Sequence, residues 1–339
     1  MSFLGVKISF ELAQVFEYMP QTKQKTIHVV AAVIRNGFGQ ILLAQRSLNC
    51  PHLPGYWEFP GGKMEEGENP QQALVRELQE EIGITATKLT PLIQVPYSYP
   101  EKDVVLDVWE VDQYMGEIKP CEGQELVFCG LDEMVNYQLP PADLPVITAL
   151  TLPQAYLITP EPADYSVDEF AQRLRAVIDK GISLVQLRSK SLPSAELAQY
   201  AQVAKDVCHA ANAKILVNSD VKIYKNCALD GVHLSSNQVA AGKQIDKTKD
   251  KDLIVASCHT LNELKQAEQL GVDFALLSPV KKTMTHPDVT PLGWSNFADA
   301  IQHVAIPVYA LGGMKISDIQ IAKESGAQGV AAIRGLWDI

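Results

Sequence analysis

Between Trp57 and Ile84 the chain reads WEFPGGKMEEGENPQQALVRELQEEIGI, seven glutamates around a diglycine. Glu77, Glu80 and Glu81 stand at i, i+3 and i+4, which puts three carboxylates on one face of a helix. Like charges at that spacing destabilise an isolated helix by roughly 0.2–0.5 kcal/mol per pair, so something must offset them. A hard dication does so: clustered oxygen ligands suit Mg²⁺ or Mn²⁺, which can in turn bridge to the phosphate oxygens of a substrate. The competing reading is a solvated acidic face with Arg76 as a partial counter-charge.

The elements that would position these carboxylates surround them. Asn69 suits an N-cap, Pro70 the first helical turn, and Gly83 ends a run of strong helix formers. Leu74, Leu78 and Ile82 recur every fourth residue and make the buried stripe. Without side chains, Gly61 and Gly62 let the backbone approach a metal or a phosphate closely. The strand-like runs IHVVAAVIR, QILLAQR, VVLDVWEV and ELVFCGL set the helix within an α+β or mixed-sheet unit.

Gly62, five residues, Glu68, seven residues, then Arg76 to Ile84 as RELQEEIGI satisfies every fixed position of the Nudix box. With WEFPGGK and LPPADLPVI, residues 26–150 resemble the Nudix hydrolases, and within them the MutT type. The resemblance implies an α/β/α mixed-sheet fold and a Mg²⁺-dependent (or Mn²⁺-dependent) pyrophosphohydrolase. Its substrate would be 8-oxo-dGTP, cleaved to 8-oxo-dGMP and pyrophosphate when metal-activated water attacks the β-phosphorus, which is nucleotide-pool sanitation in the service of DNA repair. Gly61, Glu77, Glu80, Glu81 and Glu122 would contact metal. The catalytic base would be one of Glu77, Glu80 and Glu81; the sequence leaves open which. Arg46, His52, Glu58, Phe59, Pro60, Gly61 and Asp143 would contact the nucleotide, His52 from a loop one residue longer than the MutT loop. MutT carries an asparagine at the position of Asp143, offering a donor and an acceptor; an ionised aspartate only accepts, and a protonated one does both. A helix-capping role for Asp143 is the alternative.

Four prolines in LPPADLPVITALTLPQ mark a boundary, after which the rhythm changes. Eight apolar runs, AYLIT, LVQLR, KILVN, GVHLS, IVASC, FALLSP, PVYALGG and GVAAIRG, alternate mostly with helical patterns and predict a (β/α)8 barrel over 155–339, short at its C-terminal end. LVQLRSK, ILVN, DGVHLSS, ASCHT, SPVKKTMTH and IPVYALGGM resemble thiamine-phosphate synthase and TenI. That resemblance implies that Gln186, Arg188, Lys190 and Asn218 bind a pyrimidine diphosphate, and that Thr283, Thr285 and Gly313 hold a thiazole phosphate. The chain departs from the synthase at Ser219 and Asn237, where aspartates bind magnesium, and at His286, where a lysine ends the threonine motif. It departs from TenI at Pro279, the place of the catalytic histidine; His286 could substitute as acid or base, the alternative being a plain surface histidine. No cofactor is expected in the barrel, which keeps a pocket for a phosphorylated small molecule.

Composition bounds the rest. At 339 residues two domains are expected, preceded by an extension over 1–25 that reads as a short amphipathic helix and a poor signal peptide. A formal charge of −11 argues against polymeric nucleic acid. Six cysteines without metal-like spacing fit reduced thiols in a cytoplasmic protein, and no run is long enough to span a membrane. Oligomeric state is not legible. Three functions remain open: the 8-oxo-dGTP hydrolase with an inactive or regulatory barrel; a hydrolase of a thiamin-pathway diphosphate coupled to a thiazole phosphate-binding or tautomerase barrel; and a barrel acting only as sensor or assembly module.

Overall fold

The computed structural model describes residues 26–249, 251–283 and 289–339, so the extension over 1–25, Thr285 and His286 lie outside the described residues. The N-terminal part runs β1 (Thr26–Val33), β2 (Ile41–Gln45), β3 (Trp57–Glu58), β4 (Gly61–Lys63), α1 (Pro70–Ile82), β5 (Ile84–Tyr99), β6 (Lys102–Gly116), β7 (Leu126–Cys129) and α2 (Leu144–Thr151). One sheet has the order β4-β1-β6-β5 and a second β3-β2-β7, the first mixed and the second antiparallel.

Alternation along β1 builds two layers. Val30 and Ala32 pack with Leu74, Leu78 and Ile82 of α1, whereas Ala31 and Val33 pack with Val146 and Ala149 of α2. Burying both faces of one sheet gives the α/β/α arrangement. The sixteen-residue β5 carries Pro91 and Pro96, which cannot donate to a ladder. It tolerates them because it is the edge strand, paired only to β6.

The barrel closes from β8 (Ala155–Ile158) through β9 (Leu184–Leu187), β10 (Lys214–Asn218), β11 (Gly231–Leu234), β12 (Leu253–Cys258), β13 (Phe274–Leu277), β14 (Val308–Leu311) and β15 (Gly329–Ala332), every pairing parallel. All eight sequence runs supply these strands. After β15 comes a one-turn helix, Arg334–Trp337, whose Trp337 ring stacks on Phe170. Tyr156, Phe274 and Tyr309 fill the interior with Leu184, Leu216 and Leu276. His233 is buried among them, its Nδ1 3.1 Å from the Tyr156 hydroxyl and its Nε2 2.7 Å from Ser257 Oγ. Burial pushes that imidazole down to about 3, so it is neutral.

Helix α1 is fixed at both ends by local chemistry. Asn69 Oδ1 accepts the Gln72 amide and Gln72 Oε1 accepts the Asn69 amide, both at 3.0 Å, while Gly83 ends the helix at φ 72°. Replacing Asn69 by Ala should therefore cost about 1 kcal/mol. Urea unfolding of the N-terminal transition would check this, with an unchanged slope.

Candidate active site

Arg76 organises the carboxylates of α1. Its Nε and Nη2 donate to the two oxygens of Glu68 at 2.7 and 2.8 Å, and Nη1 donates to Glu77 at 2.9 Å and Glu80 at 3.2 Å. Nη2 also reaches the Lys63 carbonyl at 3.0 Å. Hydrogen bonds from Arg76 and then from the Glu65 amide hold Glu68 down at about 2. Sequence reasoning had given Arg76 only partial compensation; its place one residue before Glu77, opposite Glu68, was the available signal.

The diglycine receives two of these acids. The Glu77 carboxylate lies where a side chain on Gly62 would go, 2.3 Å from the position of a Cβ, so any other residue there would displace it. Glu81 accepts the Gly61 amide at 3.0 Å. Burial pushes Glu81 up to about 8, against that hydrogen bond, and the negative charges of Glu58, Glu122 and Glu77 raise it further. Glu122 stands exposed in the turn after β6, and Glu80 is largely solvated.

Among the described residues no three carboxylates converge at metal-binding distance. Arg76 draws Glu77 and Glu80 to one side and the Gly61 amide draws Glu81 to the other. The donor set nevertheless fits a hard dication: every candidate ligand is oxygen, and such an ion offsets both the burial that raises Glu81 and the repulsion from Glu58, Glu122 and Glu77 that adds to it.

A second cluster adjoins the first. Arg46 Nη1 pairs with Glu58 Oε2 at 2.5 Å, its Nε donates to the His52 carbonyl at 3.2 Å and its Nη2 to Cys50 Sγ at 3.0 Å. The His52 ring instead turns to Glu101 at 2.9 Å and meets the edge of Tyr99. Phe59 packs in the core, and the Pro60 carbonyl accepts the Ala32 amide at 2.8 Å, so both serve first to seat the strand.

Asp143 is 5% exposed, does not cap α2, and leaves Oδ2 without a partner. The helix-capping alternative therefore fails. Burial, and then the charge of Glu58, raise its carboxyl well above the usual range, which favours the protonated form. Tyr99 is coupled to it and pushed up to about 12 by burial; nothing in the sequence marked Tyr99.

In the barrel, Gln186 Nε2 donates to Asn218 Oδ1 at 2.8 Å, and Gln186 Oε1 is buried without a partner. Lys190, Asn218 and Ser219 line one cavity of about 520 Å³ with Ser189, Lys222 and Lys243. Arg188 is half-buried, its cation disfavoured by burial and partly compensated by Glu161. Gly313 follows β14, on another side of the barrel mouth, and Thr283 precedes the undescribed stretch.

Because Glu81 holds its proton more tightly folded than unfolded, its contribution to stability is present below the ordinary glutamate range and is lost as pH rises through about 8. In chelator, the wild type should lose stability across that window and Glu81→Gln should lose less; urea midpoints from about pH 5 to about pH 9 would show it.

The NUDIX domain family matches residues 25–150, and the family described as thiamine monophosphate synthase matches residues 155–336. The N-terminal part is 42% identical over 125 residues to the CTP pyrophosphohydrolase of Escherichia coli, covering 37% of this chain and 91% of that protein. It is 37% identical over 126 residues to the 8-oxo-dGTP diphosphatase of the same organism, covering 37% of this chain and 97% of that protein. The barrel is 32% identical over 180 residues to the thiamine-phosphate synthase of Synechococcus sp., covering 53% of this chain. The chain spans about half, 51%, of that relative's length. The box geometry around Arg76 and the closed eight-stranded barrel agree with these matches, and the chain belongs to the Nudix hydrolases through its N-terminal part and to the thiamine monophosphate synthase and TenI family through its barrel.

Proposed function

We propose that the N-terminal part is a Mg²⁺-dependent pyrophosphohydrolase whose preferred substrate is 8-oxo-dGTP, with Asp143 reading the base. Glu77, Glu81, Glu122 and the Gly61 backbone would hold the metal, which supplies charge neutralisation at the phosphates and lowers the pKa of a bound water. Arg76 orients Glu77 and keeps Glu68 ionised. Arg46, next to Glu58, is the cation available to a phosphate oxygen.

The observation that carries the substrate is Asp143, buried at 5% exposure with Oδ2 unpartnered and its carboxyl raised well above the usual range. A protonated carboxyl offers a donor and an acceptor side by side, the pair a carboxamide offers. It complements O6 and N7–H of 8-oxoguanine, whereas ordinary guanine presents two acceptors there. Cytosine presents the same acceptor–donor pair at N3 and N4–H, so CTP is the second reading, supported by the pyrophosphohydrolase relative. A kcat/KM panel of 8-oxo-dGTP, CTP, dGTP and a pyrimidine diphosphate decides. 8-oxo-dGTP should lead, with dGTP roughly 10–100-fold behind for the unmatched hydrogen bond; a CTP lead selects the second reading, and indifference to the base removes both. Asp143→Asn should keep the preference, Asp143→Ala should lose it, and Glu81→Gln should abolish turnover without unfolding.

For the barrel we infer a phosphorylated-ligand pocket that needs no metal and makes no thiamin phosphate. Asp220 is the one carboxylate lining the 520 Å³ cavity, and it is spent on the Lys222 and Ile223 amides at 2.9 and 3.0 Å and on Ser194 at 3.2 Å. Lys190, Lys222 and Lys243 supply positive charge directly. Thiazole phosphate should raise the melting temperature equally with Mg²⁺ and with chelator, and Lys190→Ala should reduce that rise; a strict Mg²⁺ requirement overturns it.

A further inference from the structure

Where β5 and β6 meet the barrel lies a cavity of about 270 Å³, just below the size of pockets for drug-like ligands. Leu92 and the Trp109 ring form apolar wall on one side, Ile301 and Ile306 on the other. Two carboxylates, Asp107 and Glu324, line it, and among the described residues no cationic side chain does. Its polar groups are incompletely paired. Gln328 is 4% exposed and spends Nε2 on the Ala149 and Leu152 carbonyls, both at 3.0 Å, which leaves Oε1 buried and unpartnered. Trp109 Nε1 is also buried, and its nearest acceptor is the Asp107 carboxylate, which it helps to hold ionised. Buried polar atoms are normally satisfied, so the orphaned Gln328 oxygen in the lining of this cavity marks a place able to receive a donor.

We propose that this cavity binds a small protonated amine with an apolar body about one ring in size, its ammonium on Asp107 and Gln328 and its ring between Trp109 and Ile306. The sign of the charge follows from the lining. Asp107 forms no ion pair with a Lys or Arg among the described residues. Around it stand His28 on β1, Glu110 on β6, and Lys323 and Glu324 on the helix Ile319–Glu324. Burial lowers Lys323, and the charge that partly offsets this is that of Glu110 rather than that of Asp107. Burial pushes Asp107 up to about 6, opposed by Trp109 and Gln94, so above that pH a carboxylate sits in a half-dry space without a counter-ion. An ammonium supplies the missing charge and donors; a neutral analogue supplies only the ring.

The test is NMR of the full chain, reading the Trp109 indole N–H, assigned through Trp109→Phe, during titration with benzylamine, benzyl alcohol and benzoate. Benzylamine should shift that signal and bind about tenfold more tightly than benzyl alcohol, the difference of one charge-assisted hydrogen bond. Benzoate should leave the signal in place. The preference for the amine should vanish in Asp107→Asn, and in the wild type benzylamine affinity should fall roughly tenfold from about pH 7.5 to about pH 5 as Asp107 takes up its proton. The wild-type arm stands whether or not the variant folds. An unmoved Trp109 signal, equal affinity for amine and alcohol, or a pH-independent affinity overturns the proposal.

Discussion

Six carboxyl groups, Glu58, Glu68, Glu77, Glu80, Glu81 and Glu122, lie around one diglycine, and two guanidinium groups answer them, Arg46 at Glu58 and Arg76 at the acids of α1 and the loop before it. Arg76 satisfies Glu68 with a two-pronged contact and shares its remaining edge between Glu77 and Glu80. Glu81 gets only a backbone amide, and burial first, then the surplus negative charge, pushes it up to about 8. The surroundings answer to this repulsion: a capped helix with a continuous apolar stripe, pressed onto β1, gives the acids no room to splay apart.

Glu58 joins the two ends of the site. Its charge raises both Glu81 and Asp143, and its carboxylate holds Arg46. In the proposed function, metal affinity, phosphate contact and base reading would therefore share one electrostatic element. A cation at the acids would lower the cost of ionising Glu81, while the deeper burial of Asp143 would continue to favour its protonated form. One kind of side chain thus does two kinds of work through burial alone.

Much of this was written locally in the sequence. Asn69, the Leu74–Leu78–Ile82 stripe and Gly83 specify α1 through contacts within a few residues, and the eight apolar runs specify the barrel strands through alternation. What stayed illegible depends on partners distant in the chain. Pro91 and Pro96 read against a strand until β5 is known to be an edge. Tyr99 and His233 acquire their surroundings from Asp143 and Tyr156, 44 and 77 residues away, and the raised carboxyl of Asp143 follows from burial that no spacing records.

On the proposed reading the two halves would handle phosphate oxygens by different means. In the N-terminal site the helix acids repel a phosphate, so an intervening cation would hold it there beside Arg46, and specificity would fall to the buried Asp143 at the far end. In the barrel the aspartate positions are Ser219 and Asn237, the nearby Asp220 is spent on backbone amides, and lysines face the cavity directly. Losing two carboxylates removes the means of holding a metal but also removes the repulsion that made one necessary. A barrel so altered is poorly equipped to activate a diphosphate leaving group, yet it is better placed to bind a phosphate whether or not divalent ions are present.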